Sequence, residues 1–249
     1  MTRRAWYLNV TADEVADRAI LVGDPGRVDL FADALDGSRL LGADRALRTV
    51  TGSYRGARIT VCSFGMGAPI AAVVLEELAW LGVRSVLRAG TVMSLGEIPI
   101  GMLVLAEDAL SVESTSTLYG GDERVRPDEA LLSHARTVLD GRSEPHRSGR
   151  VASFDGFYTD LVALRPEVAS RVESRAASLR ERGVIATDME TSAVLAVGRA
   201  LGVRAGSLCL CSVDGPTKRR MPLERRRAAE KRLVSASLDI LATFMQEES

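Results

Sequence analysis

Four short stretches bring together side chains able to handle an anion and a sugar. Leu87-Arg88-Ala89-Gly90-Thr91 places an arginine in an apolar run. An unpaired buried guanidinium is costly, so Arg88 calls for an anion, either a bound one or a carboxylate of the chain such as Glu76. Thr91 adds a hydroxyl donor, and Gly90 permits close backbone approach. Gly23-Asp24-Pro25-Gly26-Arg27 reads as a loop entering a helix. Helix-start N–H groups suit an anion, and Arg27 can add a charged hydrogen bond. Alone, this stretch reads more readily as a tight turn with a surface arginine; it is neither G-x-G-x-x-G nor a Walker loop. Two Arg/Gly stretches in one sheet point to phosphate.

The third stretch, Thr187-Asp188-Met189-Glu190-Thr191-Ser192, carries two carboxylates at a helix start. They can stabilise the helix dipole or accept hydrogen bonds from sugar hydroxyls. The fourth, Cys211-Ser212-Val213-Asp214-Gly215-Pro216, ends a very apolar run with an acid. Desolvation there predicts a raised pKa and a proton donor; a turn-forming Asp before Gly-Pro is the alternative. Other chemistries lack their residues. His134 and His146 cannot supply a multi-histidine metal site. Cys62, Cys209 and Cys211 have no zinc-ligand spacing and read as reduced, buried thiols.

The elements that must position these stretches alternate. Strands are expected at Ala19–Val22, Arg58–Phe64, Ser85–Arg88, Met102–Ala106, Gly149–Phe154, Val184–Thr187 and Val203–Val213. Helices are expected over 27–34, 69–81, 127–139, 166–182, 190–201 and 222–244, with a polar loop over 140–148. The pattern predicts an α/β fold: one domain over 1–249, a three-layer sandwich whose mixed, mostly parallel sheet is flanked by helices. In such sheets ligands bind at the carboxyl ends of strands, where all four stretches fall.

The 249 residues carry 32 Lys+Arg against 33 Asp+Glu, a balance unlike that of a chain built to hold a nucleic-acid backbone. Only Lys218 and Lys231 are lysines, so a lone arginine says little here. No apolar leader opens the chain, and the most apolar run, 68–83, contains Glu76 and Glu77. A cytoplasmic protein without membrane contact is expected.

GDPGR (23–27), TGSYRGARITVCSFGMGAP (51–69), EELAWLGVRSVLRAGT (76–91), FYTD (157–160), TDMETSA (187–193) and CSVDG (211–215) together resemble the hexameric-type nucleoside phosphorylases, which include purine nucleoside and uridine phosphorylases. The resemblance implies reversible phosphorolysis of a nucleoside to base and (deoxy)ribose 1-phosphate. Phosphate is the co-substrate, and no metal or organic cofactor is needed. It implies phosphate binding by Gly23, Arg27, Arg45, Arg88 and Thr91, with Arg45 coming from a neighbouring subunit. Ribose would meet Met66, Met189 and Glu190, with Tyr7 standing where the family usually has a histidine from the neighbour. The base would meet Phe157, Thr187 and Ser212. Asp214 would protonate a purine leaving group, assisted by Arg225 or Arg227. The implied partners are the nucleoside, phosphate and further copies of the chain, as a dimer unit within a hexamer.

Departures bear on specificity. The usual Glu-Met-Glu is here Asp188-Met189-Glu190, and the shorter Asp188 is not expected to reach the site. Val92-Met93 replace smaller residues and are expected to narrow the base pocket. The Gln-x-Arg pair with which uridine phosphorylases read uracil corresponds to Leu161 and Ala163, which cannot hydrogen-bond it. Purine nucleosides are therefore the expected substrates. Uridine phosphorolysis and hydrolysis by water are the alternatives.

Overall fold

The computed structural model describes residues 3–245. Its elements run β1 (Arg18–Val22), α1 (Pro25–Ala32), β2 (Asp36–Gly42), β3 (Thr49–Tyr54), β4 (Ala57–Ser63), α2 (Ala68–Leu81), β5 (Ser85–Ser94) and β6 (Leu103–Ser111). Then follow α3 (Thr115–Leu118), β7 (Arg124–Val125), α4 (Glu129–Gly141), β8 (His146–Ser153), α5 (Pro166–Glu181), β9 (Val184–Asp188), α6 (Thr191–Ala200), β10 (Arg204–Asp214) and α7 (Leu223–Thr243). A π-helical turn, Phe157–Leu161, precedes α5. Among the described residues no helix is long and apolar enough to cross a membrane.

The sheet is mixed. Among the described residues five strand pairs are parallel and five antiparallel, so the expectation of a mostly parallel sheet does not hold. Part of the reason is the β2–β3–β4 meander, hidden by the polar composition of β2 and β3. Its β3–β4 turn has positive φ at Arg55 and Gly56, the backbone that a two-residue hairpin requires. The strand order is β10-β6-β8-β9-β5-β1-β4-β3-β2, and β10 also pairs with β5. Five strands thus close into a ring, and β1, β4, β3 and β2 extend from it.

Alternate residues of the central strands face opposite sides. Ile20, Val22, Leu87 and Ala89 pack in a core with Val28 and Phe31 of α1, Leu131 and Leu139 of α4, and Leu233 and Ile240 of α7. Ala19, Leu21 and Val86 pack instead with Leu75 and Leu78 of α2 and Val194 and Val197 of α6. Helices therefore cover both sides of these strands, as the period-2 apolar runs require.

β5 is longer than the expected Ser85–Arg88. Gly90 reads as a strand terminator, but it is a glycine for space: a Cβ there would collide with the Arg88 guanidinium two residues earlier on the same face. The strand also changes neighbours. On one side it pairs with β10 along its length. On the other, Ser85–Arg88 pair with β1 and only Met93 and Ser94 pair with β9. The sheet splits open between them, at 89–92.

A charge cluster around the buried Asp108 ties the far side of the ring. Asp108 on β6 accepts from Arg150 Nε of β8 at 2.6 Å and from Arg124 Nε of β7 at 2.8 Å. Burial pushes the Asp108 carboxyl up, but the hydrogen bonds from Arg150 and Arg124 outweigh it and hold the pKa below its ordinary value. A depressed folded-state pKa contributes stability above the unfolded value that is lost as pH falls through the folded one. Asp108→Asn is therefore expected to lose about 1–3 kcal/mol at pH 7. In urea melts at successive pH values, the gap to wild type should shrink below about pH 4.

Candidate active site

A cavity of about 540 Å³ opens at the split, lined by Arg88, Gly90, Thr91, Val92 and Met93 of β5 and by the exits of β1, β4, β9 and β10. This is a topological switch point, where neighbouring strands diverge and leave backbone groups free to meet a ligand.

Arg88 dominates the floor. It is 3% exposed. Its Nη2 donates to Glu190 Oε2 at 2.5 Å, and its Nη1 lies 3.1 Å from Asp188 Oδ2 and 2.6 Å from Cys209 Sγ. Burial pushes the Cys209 thiol up, so the sulfur beside Arg88 is uncharged at neutral pH. The chain's own counterions to Arg88 are thus Asp188 and Glu190. Glu76, the carboxylate considered from sequence, instead lies beside Tyr119, where after burial it helps push the phenol pKa up.

Glu190 is held by backbone as well as by Arg88: its Oε1 accepts the Gly67 N–H at 2.7 Å. Gly67 has φ 103°, a backbone that glycine adopts without strain. Asp188 does reach the cavity wall, contrary to expectation. Its carboxylate is shared with the hydroxyls of Ser153 at 2.6 Å and Thr191 at 2.5 Å, so it anchors the start of α6 as well as balancing Arg88.

Arg27 lies beside them, also buried. It donates to the Ala89 carbonyl at 3.1 Å and to Glu230 Oε1 at 3.3 Å. The Nε atoms of Arg27 and Arg88 are buried with no hydrogen-bond partner among the described residues. Gly23 is fixed by close approach: a Cβ there would sit 2.8 Å from the Gly65 carbonyl oxygen.

Met66, Phe157, Thr187, Met189 and Ser212 line the same cavity, as do Val92 and Met93. The structure therefore brings ten of the sequence-selected residues together: Gly23, Arg27, Met66, Arg88, Thr91, Phe157, Thr187, Met189, Glu190 and Ser212. Sequence reasoning missed Arg226, which lines the cavity and bonds Glu230 Oε1 at 3.1 Å and Asp24 Oδ2 at 3.3 Å. Helical spacing carried the signal: Arg226, Glu230, Leu233 and Ser237 share one face of α7, and the last three are buried.

The remaining residues lie elsewhere. Asp214 lines a separate cavity with Arg219 and Arg225, and Arg227 is exposed on the first turns of α7. The expected raised pKa of Asp214 is overturned. Hydrogen bonding from the Thr217 side chain holds the carboxyl below its ordinary value, and the residue is only partly buried. An apolar strand does not desolvate an acid at its mouth when a turn folds back to hydrogen-bond it, so Asp214 is an ionised acceptor at neutral pH. Tyr7 and Arg45 are exposed and lie together, with the Arg45 guanidinium carbon 5.6 Å from the Tyr7 ring centroid. Neither lines this chain's cavity.

Residues 17–245 match the Phosphorylase superfamily. A guanosine phosphorylase of Halorubrum lacusprofundi is 34% identical over 84% of this chain and 82% of its own length. A uridine phosphorylase of Thermococcus kodakarensis is 32% identical over 98% of this chain and 88% of its own. The crystal structure of a uridine phosphorylase from Vibrio fischeri superposes with a TM-score of 0.84 at 28% identity, covering 96% of this chain and 97% of that one. Both in sequence and in fold, this chain belongs to the phosphorylase superfamily.

Proposed function

We propose that the protein catalyses reversible phosphorolysis of purine nucleosides, yielding free base and (deoxy)ribose 1-phosphate without a metal or organic cofactor. The observation that carries this is the buried Arg27–Arg88–Glu190 group at the sheet's switch point. Gly23, Arg27, Arg88 and Thr91 supply donors for phosphate. Glu190, pinned by Gly67 and Arg88, presents a fixed carboxylate to the ribose hydroxyls and to positive charge near C1′. Such preorganised charge is worth more in a dry cavity than in water.

The charge balance also supports assembly. Within one chain each cavity guanidinium already faces a carboxylate: Arg27 faces Glu230, Arg88 faces Asp188 and Glu190, and Arg226 faces Asp24 and Glu230. A dianionic phosphate needs another cation. Arg45 has no carboxylate partner among the described ion pairs and sits exposed over Tyr7. We place both in the cavity of a second copy, in a dimer that repeats within a hexamer. The protein is taken to act in the cytoplasm as one phosphorylase domain.

The purine reading is supported by the guanosine phosphorylase relative and by the apolar Leu161 and Ala163. The uridine phosphorylase relatives favour the second reading, a pyrimidine nucleoside in the same cavity. Inosine, guanosine, adenosine and uridine, each incubated with and without phosphate, separate the two. Base release from a purine nucleoside only when phosphate is present is expected. Release without phosphate would make the protein a hydrolase, and release from uridine alone would make it a pyrimidine enzyme.

A further inference from the structure

A second cavity, of about 280 Å³, adjoins the first. The two share Met93, Leu161 and Thr187 as a common wall. The second cavity is apolar just past the end of β5 and along α5, through Leu95, Val172 and Ala176. Two polar groups stand out, Thr187 on the shared wall and the exposed Lys218 at the edge of the second cavity, and the phosphate and ribose contacts use neither.

The first is the Thr187 hydroxyl. Thr187 is 1% exposed, and its Oγ1 is buried without a hydrogen-bond partner. A buried hydroxyl left unpaired is unfavourable, so one on a cavity wall points to a polar ligand atom.

The second is Lys218. Its Nζ donates to the Leu161 carbonyl at 3.2 Å, which ties it to the shared wall. An ammonium has three donors and no acceptor, so two N–H groups remain for a ligand. Its loop is clamped: the Asp214 N–H donates to the Arg219 carbonyl at 2.9 Å, and Val213 bridges Arg220. Lys218 itself has φ 56°, a left-handed backbone uncommon for a residue with a side chain. The charges acting on it are Glu173 and Asp214, while Asp160 nearby is occupied by Arg171 and Arg175. In a chain whose other cations are, Lys231 apart, all arginines, this lysine places a compact point charge where a planar guanidinium would need more room.

Resting on the phosphorolysis reading, we propose that Lys218 and Thr187 form an oxo-base subsite, in which the Lys218 ammonium donates to the ring carbonyl oxygen of the departing base. The C1′–N bond breaks with its electron pair going to the base, where the charge spreads onto that oxygen. A phosphate oxygen forms the new bond to C1′. The base anion then takes a proton through water, supplied by the phosphate as it becomes a monoester. Lys218 thereby stabilises the leaving group, the task for which Asp214 is wrongly ionised. A base with an exocyclic amine in place of the carbonyl turns a donor toward the ammonium's own donors and is disfavoured.

The test compares kcat/KM for inosine and adenosine, which differ at that one group, in wild type and in Lys218→Met and Thr187→Val. Wild type should prefer inosine. Lys218→Met should lower the inosine-to-adenosine ratio by about 10- to 100-fold, and Thr187→Val should lower it by up to about 10-fold. Because the readout is a ratio within one variant, partial unfolding does not move it. A Lys218→Met ratio within about twofold of wild type, or a wild type that prefers adenosine, overturns this inference alone. A wild type that cleaves neither nucleoside in the presence of phosphate overturns this inference, and one that also leaves guanosine and uridine intact overturns the phosphorolysis reading as well.

Discussion

Arg88→Ala is expected to be the most damaging single substitution in the cavity, and to act on stability and catalysis together. Truncation leaves Asp188 and Glu190 buried side by side with no cation between them. Breaking a buried ion pair from one side costs about 3–5 kcal/mol. For a chain of this length that is roughly 6–20 °C in melting temperature. Where the variant remains folded, phosphate loses one charged donor, so the phosphate KM should rise about 30- to 1,000-fold. Calorimetry gives the first effect and phosphate saturation curves the second. A folded Arg88→Ala protein with a phosphate KM within about twofold of wild type would show that Arg88 serves only as counterion to the two carboxylates.

Glu190→Ala should cost less stability and as much activity. It strips the Gly67 N–H of its acceptor and Arg88 of one of two carboxylates, yet Asp188 still balances the guanidinium. A loss of about 1–3 kcal/mol in stability follows. The transition state loses its fixed carboxylate at the sugar, so kcat/KM should fall about 10²- to 10³-fold. The loss should be smaller for 2′-deoxynucleosides, which offer one hydroxyl fewer. An equal loss on ribo- and deoxyribonucleosides would place Glu190 away from the 2′-hydroxyl.

The helices and inner strands were legible because their apolar periodicity is strong. Pro69 and Gly82 bracket α2, Pro166 opens α5, and β1 and β10 read as largely apolar runs. β2 escaped because most of its residues face water, leaving no alternation to read. The full length of β5 escaped because Gly90 makes room for a neighbour on its own strand, a purpose that local sequence does not reveal. The cavity residues at strand exits were legible from residue type. The Asp214 environment was not, since it depends on a turn that brings Thr217 back onto the carboxylate. Arg226 was readable from helix phase, but three consecutive arginines conceal which one points inward.

The closed ring also determines how copies of this chain can meet. A sheet's danger lies in its outermost strands, whose unpaired main-chain groups can template growth by another chain. Closure leaves the ring itself without a rim. β7, appended to β6, is only two residues long. β2, the outermost strand of the extension, carries the exposed Asp36 and Arg39, and its pairing with β3 slips register twice. Short, charged or irregular rims resist strand addition, so runaway fibre-like stacking is designed out of this architecture. The architecture therefore favours contact between copies through side-chain surfaces over growth along strand edges.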